Sequence, residues 1–342
     1  MRTVVVGLGV IGKRMAAAVS AQPDMTLTGV VVRTPGPTVL AQPHLPVYAW
    51  SDESARVLGQ AGVSVKGHLA DLLDEADVLI DCGPARTGIT RLDAYRAHGD
   101  VKLLFCGGER DARLGPLAHS AVNPYAARTS GRLPSCNTTS VVRVLAALGS
   151  EAVAAKAIFL RCATDTDKAG KGITNGAVLS CHPSHHADDL RALFPALAVE
   201  TLAATLPMVS GHVVQLDVEL RSPLSPDQLL KLLAADRRLV VSAAPTISTA
   251  EVRSAMTGLG RAWDNRYEAL VCPIPTDRGF SCWLALDNEA VTIPEAVDML
   301  RLMAAGPALD ASTARLLTDE ALGITGFLPG IGVPAAEAVT AR

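Results

Sequence analysis

The sequence predicts an α/β protein of two domains, a doubly wound parallel sheet followed by an α+β domain. Three observations carry that expectation. The chain opens with a β-branched strand, "RTVVV", that runs into a glycine turn and then an alanine-rich helix. Short apolar strands then alternate with helices as far as residue 135, the pattern of parallel βαβ units. After residue 149 the texture changes to longer strands separated by fewer helices, as in an antiparallel or mixed sheet.

The bulk composition fits. A chain of 342 residues with 49% hydrophobic and 19% charged residues has core material for two domains and is not disordered. A net charge of −3 without basic clusters gives no reason to expect nucleic acid or a membrane surface as a partner. Seven cysteines, an odd number with no CxxC spacing and no leader peptide, point to thiols in a reducing cytoplasm. No apolar run is long enough to span a bilayer.

The opening turn reads Gly7-x-Gly9-x-x-Gly12, with Val10 and Ile11 starting the helix. A glycine turn between strand and helix needs no ligand, but this motif in this context is the dinucleotide fingerprint of a Rossmann domain. The second strand, "MTLTGVVVRT", ends on Arg33, where an NAD-preferring site places an acidic acceptor for the ribose hydroxyl. Arginine cannot accept that bond but pairs with a 2′-phosphate, so NADP is expected, with NAD the other option. "VSVKG" (63–67) reads as the next strand, "HLADLLDEA" as a helix, "DVLIDCGP" as a strand, "RLDAYRAHG" as a helix and "VKLLFCGGE" as a strand. Ligands bind at the carboxyl ends of such strands, so Gly83, Gly107 and Gly108 are expected to border the cofactor, with Cys82 and Cys106 as small spacers.

In the second half, "AKAIFLRCA", "GHVVQLDVEL", "RRLVVSAA", "YEALVCPIP" and "SCWLALD" read as strands, with helices at 187–193 and 225–235 and closing helices in "PEAVDMLRLMAAG" and "STARLLTDEAL". "PSCNTTSVVRVL" places Cys136 after a proline break and at the start of a helix. Buried inert cysteines are common, but a helix N-terminus favours the thiolate, and Asn137, Thr138 and Thr139 supply donors for a substrate oxygen. A nucleophile needs a base, and this half offers His182, His185, His186 and His212. A zinc site from these and Cys181 is not expected, because the spacing fits no common ligand pattern.

In their order along the chain, "GLGVIGKRM", "CGGER", "SCNTTSVVR", "HPSHHADD", "ISTAEVRSAMTGLGR" and "NEAVTIPEAVD" resemble motifs of the archaeal-type (class II) glyceraldehyde-3-phosphate dehydrogenases. The resemblance covers most of the chain. It implies a dinucleotide domain of 1–135 and 300–342, whose terminal helix returns to it, and a catalytic domain of 136–299. It implies Cys136 as the nucleophile of an NAD(P)-dependent aldehyde oxidation through a thiohemiacetal and thioester, released by inorganic phosphate or water. His212 is then the base, with His185 and His186 its rivals. Asn137, Thr138, Arg161, His185 and His186 hold the substrate, and Asn288 faces the nicotinamide carboxamide. A homotetramer is implied as well.

Departures from the family pattern put the substrate in question. Ser140 stands where glycine is common, Cys162 follows Arg161 where the family has a second arginine, and Ser210 stands where it has a second histidine. A thiol does not replace an arginine fork on phosphate. Lys168, Lys171 and Arg221 are the cations available to compensate. The alternatives are thus a relative acting on another anionic aldehyde, the reverse reduction of an acyl phosphate, or a cofactor-binding regulator. Keeping Cys136, the hydroxyl-rich turn and His212 together argues against the regulator, which needs no nucleophile.

Overall fold

A computed structural model describes residues 1–163, 176–208, 211–242, 244–328 and 331. Lys168, Lys171 and Ser210 lie outside the described residues. The chain divides into two compact units, Met1–Ser135 with Ile293–Leu322, and Cys136–Thr292 with the described residues from Gly323 on.

The first unit begins with β1 (Arg2–Val6), α1 (Val10–Ser20), β2 (Thr26–Val32), α2 (Pro37–Ala41), β3 (Val47–Ala49), α3 (Asp52–Gln60) and α4 (Leu69–Leu73). It continues with β4 (Val78–Asp81), α5 (Leu92–Arg96), β5 (Lys102–Phe105) and β6 (Ser130–Arg132). The six strands are parallel in the order β3-β2-β1-β4-β5-β6, the doubly wound order with its reversal beside β1. Their near-continuous apolar runs, such as Val4, Val6, Val31, Leu79, Leu103 and Phe105, are buried in one core.

One expected strand is replaced. Residues 63–67 are not a strand; the third strand is Val47–Ala49. The stretch runs along the outer edge of β3, where Lys66 N–H donates to Val47 O and Ala49 N–H to Gly67 O. Val63 and Val65 are only half-buried, whereas Val47 and Ala49 enter the core against β2. The alternation in "VSVKG" was real but belonged to an edge.

The second unit contains α6 (Cys136–Leu148), β7 (Ala152–Cys162), β8 (Val178–Leu179), α7 (His186–Leu193), β9 (Ala198–Leu206) and β10 (His212–Leu220). It goes on with α8 (Pro226–Ala234), β11 (Leu239–Val241), α9 (Thr249–Thr257), β12 (Ala269–Thr276) and β13 (Gly279–Leu286). The sheet is mixed, in the order β11-β12-β13-β10-β7-β9-β8. In β10 every second residue from His212 to Leu220 is buried, and α6 packs on β7, β10 and β13. Strand β9 and helix α9 were not anticipated: "AVETLAATL" mixes alanine and threonine too evenly to announce a strand, and α9 depends on the Ser248–Glu251 capping box.

The chain then returns to the first unit as α10 (Ile293–Ala305) and α11 (Ala311–Leu322). Helix α10 packs on α1, β4 and β5, and the Lys102 ammonium donates to Met303 O. The return starts at Ile293 rather than residue 300 because α10 is one buried helix from its first residue. After Leu322 the described chain joins the second unit, where Leu328 packs with Val240, Val252, Met256 and Leu270. Among the described residues no helix is long and apolar enough to cross a membrane.

Candidate functional site

In the first unit the glycine turn is built to take a ligand against backbone. A Cβ on Gly12 would lie 1.8 Å from Gly7 O, so only glycine lets α1 pack so closely on the strand end. Gly9 is the N-cap of α1; no side chain caps it, and a Cβ there would meet nothing within 4 Å. The first turn of α1, at Val10 and Ile11, is thus left without a side-chain cap and with open space at Gly9, as at helix starts that receive a pyrophosphate. Arg33 follows the end of β2, exposed, with its guanidinium 4.7 Å from the centre of the Trp50 ring. That stacking holds the cation at the strand end.

Gly83 has a second reason to be glycine. A side chain there would run into the Arg91 guanidinium at 2.5 Å and Asp81 Oδ1 at 2.9 Å. Asp81 and Arg91 form a buried pair at 2.7 and 3.0 Å, and Tyr95 Oη and Gly83 N–H also donate to the carboxylate at 2.8 and 2.7 Å. Gly107 and Gly108 follow β5 at the same sheet edge. Cys82 and Cys106 sit side by side after paired residues of β4 and β5. The Cys82 thiol is pushed well up by its hydrogen bond with Cys106 and by burial, which suits a spacer and not a nucleophile.

In the second unit Cys136 is the first residue of α6 and is half-buried, while Asn137, Thr138, Thr139 and Ser140 are buried. Ser140 Oγ donates to Asn137 O, closing the first turn on itself. Thr138 Oγ1 lies 3.0 Å from His186 Nδ1 and 3.5 Å from Asp189 Oδ2. His186 stacks on Phe159 at 4.2 Å between ring centres and on His185 at 4.0 Å. Phe159 is the register partner of Val214 on β10, two residues from His212. Thr138 of α6, His185 and His186 at the start of α7 and Phe159 of β7 therefore lie together, beside the strand β10 that begins with His212. Arg161, near the end of β7, is half-buried, and its Nε has no hydrogen-bond partner among the described residues.

His212 is 2% exposed, and its Nδ1 accepts from the Cys162 backbone N–H at 3.0 Å. An amide N–H can only donate, so the neutral ring carries its proton on Nε2. Gly211, with φ +75°, sets this turn; a Cβ there would lie 2.8 Å from Leu286 O. Cys162 Sγ donates toward Asn288 Oδ1 at 3.9 Å, which places Asn288 beside the same strand ends. Helix α6 is anchored beneath by Arg143, fully buried, which donates to the carbonyls of Arg238, Tyr267 and Val291 at 3.0, 2.7 and 2.6 Å.

Arg221 does not belong to this group. It follows Leu220 at the other end of β10, about 25 Å along a strand that rises about 3.3 Å per residue, and donates to Ser150 O. One neighbour was not legible: Asp189 on α7, one turn beyond His185, the residue before that helix. His185, His186 and Asp189 each offer one ligand atom, all within 4.8 Å of one another, so this trio is where a cation would find donors.

Comparison with known proteins agrees with this layout. Residues 135–253 match the family described as glyceraldehyde 3-phosphate dehydrogenase, C-terminal domain. The glyceraldehyde-3-phosphate dehydrogenase of Metallosphaera sedula is 32% identical over 95% of this chain and 98% of its own. That of Thermococcus kodakarensis is 33% identical over 87% of this chain and 91% of its own. Among solved structures, aspartate semialdehyde dehydrogenase II from Vibrio cholerae superposes with a TM-score of 0.64 at 14% identity, over 90% of this chain and 99% of that one, a likeness of fold. On identity and coverage together, this chain belongs to the glyceraldehyde-3-phosphate dehydrogenase family.

Proposed function

We propose that the protein oxidises a small anionic aldehyde, with glyceraldehyde 3-phosphate the default, through a thioester on Cys136. The observation that carries this reading is the start of α6, where Cys136 precedes a buried hydroxyl turn hydrogen-bonded to His186. The helix terminus favours a thiolate. Thiolate attack forms the S–C bond and leaves an alkoxide on the former carbonyl oxygen. His212, its Nε2–H fixed by the Cys162 amide, donates to that oxygen. Loss of hydride from the carbon restores the C=O bond as a thioester. Starting from a thiolate, the alkoxide has no hydroxyl proton to lose, so in this step His212 is read as a donor to the oxygen, although the motif suggests it as the base. Inorganic phosphate or water then attacks the thioester carbon and gives its proton to solvent, and the C–S bond breaks to return the thiolate.

A bound nicotinamide dinucleotide supplies the hydride acceptor. Gly7, Gly9, Val10, Ile11 and Gly12 would hold its pyrophosphate, Gly83, Gly107 and Gly108 would border it, and Asn288 would face the carboxamide. Arg33 over Trp50 favours NADP, because a guanidinium held by stacking pairs with a 2′-phosphate. Asn137, Thr138, Arg161, His185 and His186 hold substrate oxygens. A homotetramer in the cytoplasm, with inorganic phosphate as acyl acceptor, belongs to the same reading. Cys162 in place of a second arginine favours a relative whose preferred anionic aldehyde differs.

The test is a panel of small aldehydes with NADP or NAD, with and without inorganic phosphate, followed by nicotinamide absorbance. Cys136→Ser should lower turnover by at least about 10³-fold while NADP binding is unchanged. Substantial residual turnover would reject the thioester route. Arg33→Asp should lower the kcat/KM ratio for NADP over NAD by about 10- to 100-fold, the size of one charged hydrogen bond. An unaltered ratio removes Arg33 from the cofactor site.

A further inference from the structure

The second unit buries Arg266, an arginine whose charge is not used by the described fold. Arg266 is 7% exposed, and its guanidinium makes no hydrogen bond to a described residue. Burial of this kind normally requires a carboxylate or several carbonyls, as Arg143 shows a short distance away. The two acids in its field are engaged elsewhere. Glu268 is clasped by Arg261 through both oxygens at 2.7 and 2.8 Å, and Asp287 accepts from the Glu289 backbone at 2.9 Å. Neither lies within ion-pair distance of Arg266, and burial lowers its pKa against their pull.

The position is as informative as the missing partner. The Arg266 guanidinium lies 3.5 Å from where a Cβ of Gly211 would be, and Gly211 leads directly into His212. A positive charge is thus held next to the histidine turn, where Cys162 follows Arg161 in place of a second arginine and Arg221 is too distant.

We infer that Arg266 is an oxyanion-binding residue of this site, holding a phosphate or carboxylate group of one of the reactants. The inference rests on the aldehyde-oxidation reading above. The anion belongs either to the aldehyde or to inorganic phosphate as acyl acceptor, and kinetics tell these apart. It would supply the guanidinium's missing hydrogen bonds and make Arg266, with Arg161, the pair of donors that sets substrate choice.

The experiment compares wild type with Arg266→Met and Arg266→Lys. Glyceraldehyde 3-phosphate and neutral glyceraldehyde are each assayed over a range of inorganic phosphate. If Arg266 holds the aldehyde's anion, the kcat/KM ratio of phosphorylated to neutral aldehyde falls about 10- to 100-fold in Arg266→Met and is partly restored in Arg266→Lys. If it holds the acceptor, KM for inorganic phosphate rises by that factor with both aldehydes. An unchanged ratio together with an unchanged phosphate KM overturns the inference, as does equal loss on both aldehydes with no shift in phosphate KM. A wild type that turns over no aldehyde sinks the functional reading instead. Calorimetric titration with inorganic phosphate then checks the acceptor assignment: weaker binding by Arg266→Met than by the wild type supports it, and equal binding overturns it.

Discussion

Buried arginines behave differently in the two units. In the first, Arg91 and Arg301 are 4% and 3% exposed, and each is fully engaged. Arg91 meets Asp81 and Thr87. Arg301 meets Asp24 through both carboxylate oxygens at 2.6 and 2.7 Å, and also Gln22 and Thr318. In the second unit the buried Arg143 and the half-buried Arg261 are engaged in the same way, but the half-buried Arg161 and the buried Arg266 each keep an Nε with no hydrogen-bond partner among the described residues. A satisfied buried charge fixes local geometry at modest net cost, whereas an unsatisfied one lowers stability unless a ligand completes it. The first unit therefore spends its buried Arg91 and Arg301 on scaffolding, whereas in the second Arg161 and Arg266 are left with hydrogen-bonding capacity that the described residues do not use.

The largest break in that contrast is expected at Arg91. Arg91→Met leaves the Asp81 carboxylate buried with only Tyr95 and Gly83 as partners, and should cost about 3–5 kcal/mol in urea unfolding. A loss below about 1 kcal/mol would mean that pairing is not what separates the units.

A smaller and pH-dependent effect is expected at Asp24. Hydrogen bonds from Arg301 hold its carboxyl below the ordinary value of 3.8. A depressed folded pKa contributes stability above the unfolded value, and that contribution is lost as the pH falls through the folded one. Because the carboxylate side is 43% exposed, Asp24→Asn should cost only about 1 kcal/mol near pH 7. The difference from wild type should shrink as the pH falls below the ordinary value of 3.8 and be lost once it has passed the lower folded value. A difference that is constant with pH contradicts the ion-pair account.

The smallest change, and the one of opposite sign, is expected for the stability of Arg266→Met. Removing an uncompensated buried charge should leave the melting temperature unchanged or raise it by a few degrees, since ~1 kcal/mol shifts a domain of this size by about 2–4 °C. Added phosphate should raise the wild-type melting temperature more than the variant's. A variant that melts far lower places Arg266 with Arg91, as scaffold.

Much of the first unit was legible because local rules suffice there. A β-branched strand, three spaced glycines and a helix announce their own conformation, and βαβ alternation permits few topologies. Strand β3 was misplaced because edge and core alternation look alike over five residues. In the second unit "SCNTT" and "PSHH" identified the chemistry through resemblance, and Thr138 and His186 lie in hydrogen-bond contact.

By itself the sequence determined the strand–turn–helix that takes a dinucleotide, the cysteine at a helix start and the two-unit plan, all of which depend on neighbours a few residues away. The tertiary structure decided what depends on partners far along the chain. The proton on His212 is set by an amide 50 residues before it. The exclusion of Arg221 follows from the length of a strand. The uncommitted charge of Arg266 exists only because residues distant in sequence bury it and give it nothing to bind. Spacing in a chain specifies local backbone; whether a buried charge is satisfied is a property of the packed whole.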